Sequence, residues 1–152
     1  MDGEQLKQVL TDHSLWLSSN GKQGKRAGLS GSNLTGADLS GADLTRANLS
    51  WANLTGANLT GAYLTGAYPR GANLTEVNLT DAYLHRADLT GAELGPQIRE
   101  CLTFEGAQVS EDQLAWLCLH PLFGEWQDSL EVVPARDRNA HHVTLPDPGP
   151  IG

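Results

Sequence analysis

The chain has 152 residues, enough for one domain, and 39% of them are apolar but only 6% aromatic, so a core must be made mainly of Leu, Ala and Val. A formal charge of −8 argues against non-specific nucleic-acid binding. No apolar run reaches the ~18 residues of a membrane span, and the charged N-terminus MDGEQLKQVL lacks the apolar stretch of a secretory signal, which places the protein in the cytoplasm.

Residues 1–26 read as an N-terminal helical cap and loop. Leu6, Val9, Leu10, His13, Trp16 and Leu17 recur near helical spacing over 3–18. The polar, Gly-containing stretch SSNGKQGKRAG then leads out of the helix.

Residues 27–109 are dominated by a repeat, strict over 27–95. Leucine returns every fifth residue from Leu29 to Leu94, thirteen in all, and Pro69 fills the one slot that breaks the series. A small residue, usually Ala, stands two places before each Leu. Asn, Asp or Tyr usually comes directly before it, and Ser or Thr usually follows. On an α-helix a five-residue step would turn successive leucines about 140° apart. On a straight strand an odd step would send them to alternating faces. All thirteen converge only if each five-residue unit forms one side of a polygon and the chain turns after it. Asn, Asp, Thr, Ser and Gly favour such turns and disfavour helix.

The units ADLSG (37–41), ADLTR (42–46), ANLSW (47–51), ANLTG (52–56 and 57–61) and ADLTG (87–91) resemble the pentapeptide-repeat family, whose pattern is A-[DN]-L-x-x. The resemblance covers roughly residues 27–95 and implies a bacterial, cyanobacterial-like member. It implies an all-β solenoid, a right-handed quadrilateral β-helix in which residues twenty apart stack. Phe104 and Val109 keep the same fives and extend it to about 4 coils. Proline cannot donate to the inter-coil ladder, so Pro69 predicts a local break or bulge and a thinner core.

Residues 110–133 read as a C-terminal helical cap. Ser110 and Gln113 have capping-box spacing, and a helix over 111–119 would turn Leu114, Leu117 and Cys118 to the last coil. Phe123, Trp126, Leu130 and Val132 continue the cap. Cys101 and Cys118 sit among apolar residues and read as buried free thiols. The polar, Pro-rich residues 134–152 read as a disordered tail. His141 and His142 there lack the four-ligand geometry of a metal site.

No catalytic constellation, phosphate loop or cofactor motif is present, so no enzyme activity and no cofactor is expected. The recurrent Asn and Asp, and the sequons they create, are by-products of the repeat. Departures from it carry more information. Tyr63, Tyr83, Arg46, His85 and Arg86 fall on one side of the polygon or its corner. Tyr68, Trp51 and Arg70 fall on the adjoining side. Tyr and Arg are common interface anchors, so these eight residues form a candidate protein-binding surface, with an aromatic ladder that merely stabilises the strands as the plainer reading. The expected role is a non-enzymatic protein-binding scaffold.

The family also implies a second role, binding DNA gyrase as a DNA mimic. Residues 25–98 carry five Lys or Arg against six Asp or Glu, whereas residues 99–152 carry a net −6. The short, near-neutral body argues against mimicry of a duplex with a charge every ~1.7 Å. A homodimer through the C-terminal cap is a further expectation, drawn from Trp116, Leu119, Phe123 and Trp126.

Overall fold

The computed structural model describes residues 1–95, 107–110, 113 and 130–133. Within them the backbone pairs with itself twenty residues further on, always in parallel. Gly28 bridges Asn48 and Asn48 bridges Tyr68, which defines a first side of the coil. Asn33, Asn53 and Asn73 define a second, Asp38, Asn58 and Asn78 a third, and Asp43, Tyr63 and Tyr83 a fourth. On the second side the ladder continues as β1 (Asn73–Leu74) against β2 (Glu93–Leu94). The architecture is thus a four-sided β-solenoid with a twenty-residue coil.

Local chemistry makes each side short and each corner sharp. The residue before Leu turns its side chain back on its own backbone. Asn53 Oδ1 accepts from the Thr55 N–H at 3.1 Å and from the Thr55 hydroxyl at 2.7 Å. Asn33, Asn58, Asn73 and Asn78 repeat the arrangement. The Leu carbonyl then closes a turn by accepting from the N–H three residues on, as from Ala37 to Leu34 at 3.0 Å. The second residue after each Leu from Leu29 to Leu89, and after Pro69, takes φ between 55° and 71°. Gly supplies that left-handed conformation at eight corners, and Arg46, Trp51, Glu76, Asp81 and Arg86 adopt it at the other five.

Leu and Ala point inward at every side. The leucines from Leu29 to Leu89 are buried and form one continuous cluster with Ala47, Ala52, Ala57, Ala62 and their successors as far as Val109. The corners therefore turn a five-residue period into a single apolar axis.

Pro69 removes one bond and nothing more. Every Leu equivalent to it on the first side donates upward, as Leu49 N–H does to Tyr68 O at 3.1 Å. Pro69 has no N–H, and the Tyr68–Asp88 bridge is missing from that column. The bonds on either side persist, Asp88 N–H to Ala67 O at 2.9 Å and Gly71 N–H to Thr90 O at 3.0 Å. The twenty-residue register passes through without a bulge, because Pro's fixed φ suits an extended side and its ring is buried in the Leu slot.

Helix α1 spans Gly3–Ser18 and lies against the first coil. Asp2 caps it, its side chain accepting from Gln5 N–H at 2.8 Å while Gln5 Oε1 accepts from Asp2 N–H at 3.2 Å. Leu6 joins the solenoid core, with Val9 and Leu10 packed beside it. His13 is fully buried; its Nδ1 accepts from Ala27 N–H at 3.1 Å, and its ring stacks on Trp16 at 5.6 Å. The loop after the helix passes so close that a side chain on Gly24 would collide with the Asp12 carbonyl, to which Lys25 N–H donates.

Beyond the strict repeats, Asp88 bridges Gln108, and β3 (Gln108–Ser110) pairs in parallel with β4 (Glu131–Val133). The first side therefore has a further rung at 131–133, reached by a step of 23 residues from Gln108 to Glu131. Buried Gln113 is helical; its Oε1 accepts from Ser110 N–H at 2.7 Å, and its amide nitrogen donates to Leu89 O at 2.6 Å and Ala92 O at 2.8 Å. The rest of the 111–119 helix, Phe104, Cys101, Cys118, Trp116, Leu119, Phe123, Trp126, His141, His142 and the 134–152 tail lie outside the described residues.

Candidate interaction face

The register places all eight sequence-selected residues on the fourth and first sides and the corners that end them. Tyr63 and Tyr83 are consecutive rungs of the fourth side, above Asp43. Their rings stack at 4.9 Å with an interplanar angle of 1°, and Tyr63 remains 47% exposed. The stack stiffens the ladder and leaves a flat aromatic surface, worth ~1 kcal/mol beyond its burial.

Arg46, Gly66 and Arg86 form the column at the corner between the fourth and first sides. Their backbones are successive rungs, with Arg46 N–H donating to Thr65 O at 3.0 Å and Gly66 N–H to His85 O at 2.8 Å. The Arg46 side chain lies along Gly66, whose lack of a Cβ leaves room for it.

Tyr68 is on the first side. Arg26, which sequence reasoning did not select, sets its guanidinium 5.8 Å from the Tyr68 ring centroid. One guanidinium nitrogen of Arg26 is buried there without a hydrogen-bond partner, so the ring's π-face supplies its contact. The signal was faint: Arg26 precedes the repeat and stands two rungs away in sequence.

Trp51 and Arg70 belong to the next corner. Trp51 N–H donates to Arg70 O at 2.9 Å. The indole lies against Gly71, where a Cβ would collide with three of its ring carbons, and it is 52% exposed.

Charge divides by side. Residues 32–41, 52–61, 72–81 and 92–95, the second and third sides, hold Asp38, Glu76, Asp81 and Glu93 and no Lys or Arg. The fourth and first sides hold Arg46, Arg70 and Arg86, with Arg26 entering beside them, against Asp43 and Asp88. Asp88 is only 8% exposed and accepts from Thr90 N–H at 3.0 Å. On the third side, Asp38 is held below the ordinary carboxylate range by the Ser40 hydroxyl and N–H, with Asn58 adding to them.

Among the described residues no group of three His, Cys, Asp or Glu could hold a metal, and no helix is long and apolar enough to cross a membrane.

These coils and corners define a class, the β-solenoids built from five-residue sides. The model for pentapeptide repeats matches residues 25–61 and 52–91 in 8 copies, and the chain is a pentapeptide-repeat protein. A comparison with curated proteins gives no match. Among solved structures, the chain is similar to HetL, a pentapeptide repeat protein involved in heterocyst differentiation regulation in the cyanobacterium Nostoc, at 35% identity and a TM-score of 0.47 over 57% of this chain and 41% of that one. It is similar to QnrB1, a plasmid-mediated fluoroquinolone resistance protein, at 27% identity and a TM-score of 0.53 over 59% of this chain and 42% of that one. A pentapeptide repeat protein of the Arabidopsis thaliana thylakoid lumen shares 29% identity over 62% of this chain and 76% of that one, with a TM-score of 0.38. The chain thus spans about two-fifths of HetL and QnrB1.

Proposed function

We propose that this protein is a non-enzymatic scaffold that binds another protein through the fourth and first sides of its solenoid. The supporting observation is the gathering of Tyr63, Tyr68, Tyr83, Trp51, Arg46, Arg70, His85 and Arg86 on those two sides, where the repeat itself requires only Asn or Asp before Leu and Gly at the corner. Three of the eight hold a left-handed backbone that favours Gly, a local cost of roughly 1 kcal/mol each. Such cost concentrates at functional positions.

Replacing Tyr63, Tyr68 and Tyr83 together by Asn, the repeat's own residue, leaves the solenoid folded and abolishes co-purification of partners from a native extract. Retention of every partner by the triple variant rejects this face.

A second reading joins the likeness to QnrB1, a plasmid-mediated fluoroquinolone resistance protein, to the gyrase binding by DNA mimicry that the repeat resemblance implies. The second and third sides supply its acidic surface, but with only Asp38, Glu76, Asp81 and Glu93. That density is far below a duplex's charge per ~1.7 Å. Gyrase supercoiling in the presence of micromolar protein is expected to proceed unchanged.

A further inference from the structure

We infer that the partner presents an acidic segment carrying aromatic or large apolar side chains, and that Arg46 and Arg86 receive its carboxylates while the Tyr63–Tyr83 stack on one side of their corner, or Trp51 at the far end of the other, receives an apolar group. This rests on the proposed protein-binding role and adds the partner's chemistry.

Three observations carry it. The first is segregation: among the described residues of the solenoid every Arg lies on the fourth and first sides, and those of the other two sides carry carboxylates alone. A basic partner would be drawn to the second and third sides, where no exposed aromatic awaits it. An acidic one is drawn to the sides that hold the aromatics.

The second is spacing. Arg46 and Arg86 are two rungs apart on one corner, about 10 Å along the axis at the ordinary strand separation. Gly66 between them bears no side chain, and the Arg46 side chain runs along it toward Arg86, so a segment lying along the corner meets both guanidinium-bearing chains on one line. Carboxylates two residues apart on an extended chain share a face about 7 Å apart, a separation that two long, flexible arginine side chains rooted ~10 Å apart can meet. Of the two acidic groups described on these sides, Asp88 is buried and bonded to Thr90, and Asp43, on the same rung as Arg46, accepts from Thr45 N–H at 3.0 Å.

The third is the shape of the apolar part. The parallel tyrosines and the half-exposed Trp51, packed against Gly71, are in place on the ladder before any partner arrives. Preformed aromatic platforms of this kind bind with little loss of side-chain freedom.

The test is a selection from a random twelve-residue display library on the immobilised full chain. Wild type is run beside Arg46→Glu/Arg86→Glu and the Tyr63→Asn/Tyr68→Asn/Tyr83→Asn variant, all first shown to be folded by circular dichroism. The expected enrichment is for peptides with two or more Asp or Glu and at least one aromatic or Leu. Their affinity falls at least tenfold in the Arg variant and with a rise from 50 to 300 mM salt. Enrichment of basic or uncharged peptides, equal affinity of the Arg variant, or no enrichment at all overturns the inference. A labelled DNA duplex that outcompetes the selected peptides overturns it as well. If native partners are lost from the Tyr variant but kept by the Arg variant, the acidic-segment inference fails and the binding face stands. If neither variant loses them, both fail.

Discussion

At Trp51 the backbone takes φ 60°, and its indole covers a glycine one coil further on. The two features can be separated by substitution. Gly91→Ala places a Cβ at φ 71° in open space and is expected to cost about 1 kcal/mol, the usual penalty for a left-handed L-residue. Gly71→Ala bears the same penalty and also displaces the Trp51 ring. Its melting temperature should fall several degrees below that of Gly91→Ala. In a Trp51→Gly background the two should melt alike, and a difference that survives there would show that the ring does not rest on Gly71. The corner itself was legible: Gly recurs at that slot, and Trp51 stands out as a departure. Where the ring lies was not legible, because that depends on a rotamer and on a residue twenty positions away.

Helix α1 shows how an element can be predicted while its coupling to the rest is not. Its start follows from Asp2 and Gln5 and its inner face from Leu6, Leu10 and Trp16, all visible as local patterns. His13 falls on the same face. That its Nδ1 accepts from Ala27, fourteen residues on, requires the loop to close, which no local pattern encodes. Burial lowers the His13 pKa below its ordinary 6.5; Asp43 and the Thr45 carbonyl oppose this, and Arg26 reinforces it. The folded state therefore holds His13 neutral at a pH where the unfolded chain already binds a proton. Stability is full above about pH 6.5 and declines as pH falls below it. Urea unfolding between pH 8 and 5 should show this decline, and His13→Asn, which cannot titrate, should flatten it. An unchanged slope in that variant would assign the decline to other groups. Strand β4 is the converse case. Its 23-residue step breaks the fives, so Leu130 and Val132 looked like the end of a cap, and the pairing of Val132 with Val109 was hidden.

Across the whole molecule, the most legible feature is the axis of leucines, because a period of five admits no other way to bury them all. Leu54 and Leu59 lie at 0% exposure in the middle coils. Replacing either by Ala should cost about 2–5 kcal/mol, read as a lower urea midpoint, because neighbouring rungs cannot close the void without losing their ladder bonds. A midpoint within error of wild type would mean that the interior is not packed as described. Of the two outcomes expected at Pro69, the local break in the ladder is present, since the Tyr68–Asp88 bridge is missing, but the bulge is not. A ladder that repeats every rung spreads that loss, and the adjacent bonds hold the register.

The sorting of arginine and carboxylate onto opposite flanks gives the shaft an electric moment across its width. A charged body drifting past exerts a torque on such a shaft and rolls it about its long axis until the attractive flank faces the visitor. The effect acts over the screening distance, ~10 Å at 0.1 M salt, so alignment precedes touch. Collisions that would otherwise be wasted on the wrong flank become productive, and adding salt removes that advantage by slowing capture and leaving release largely as it was.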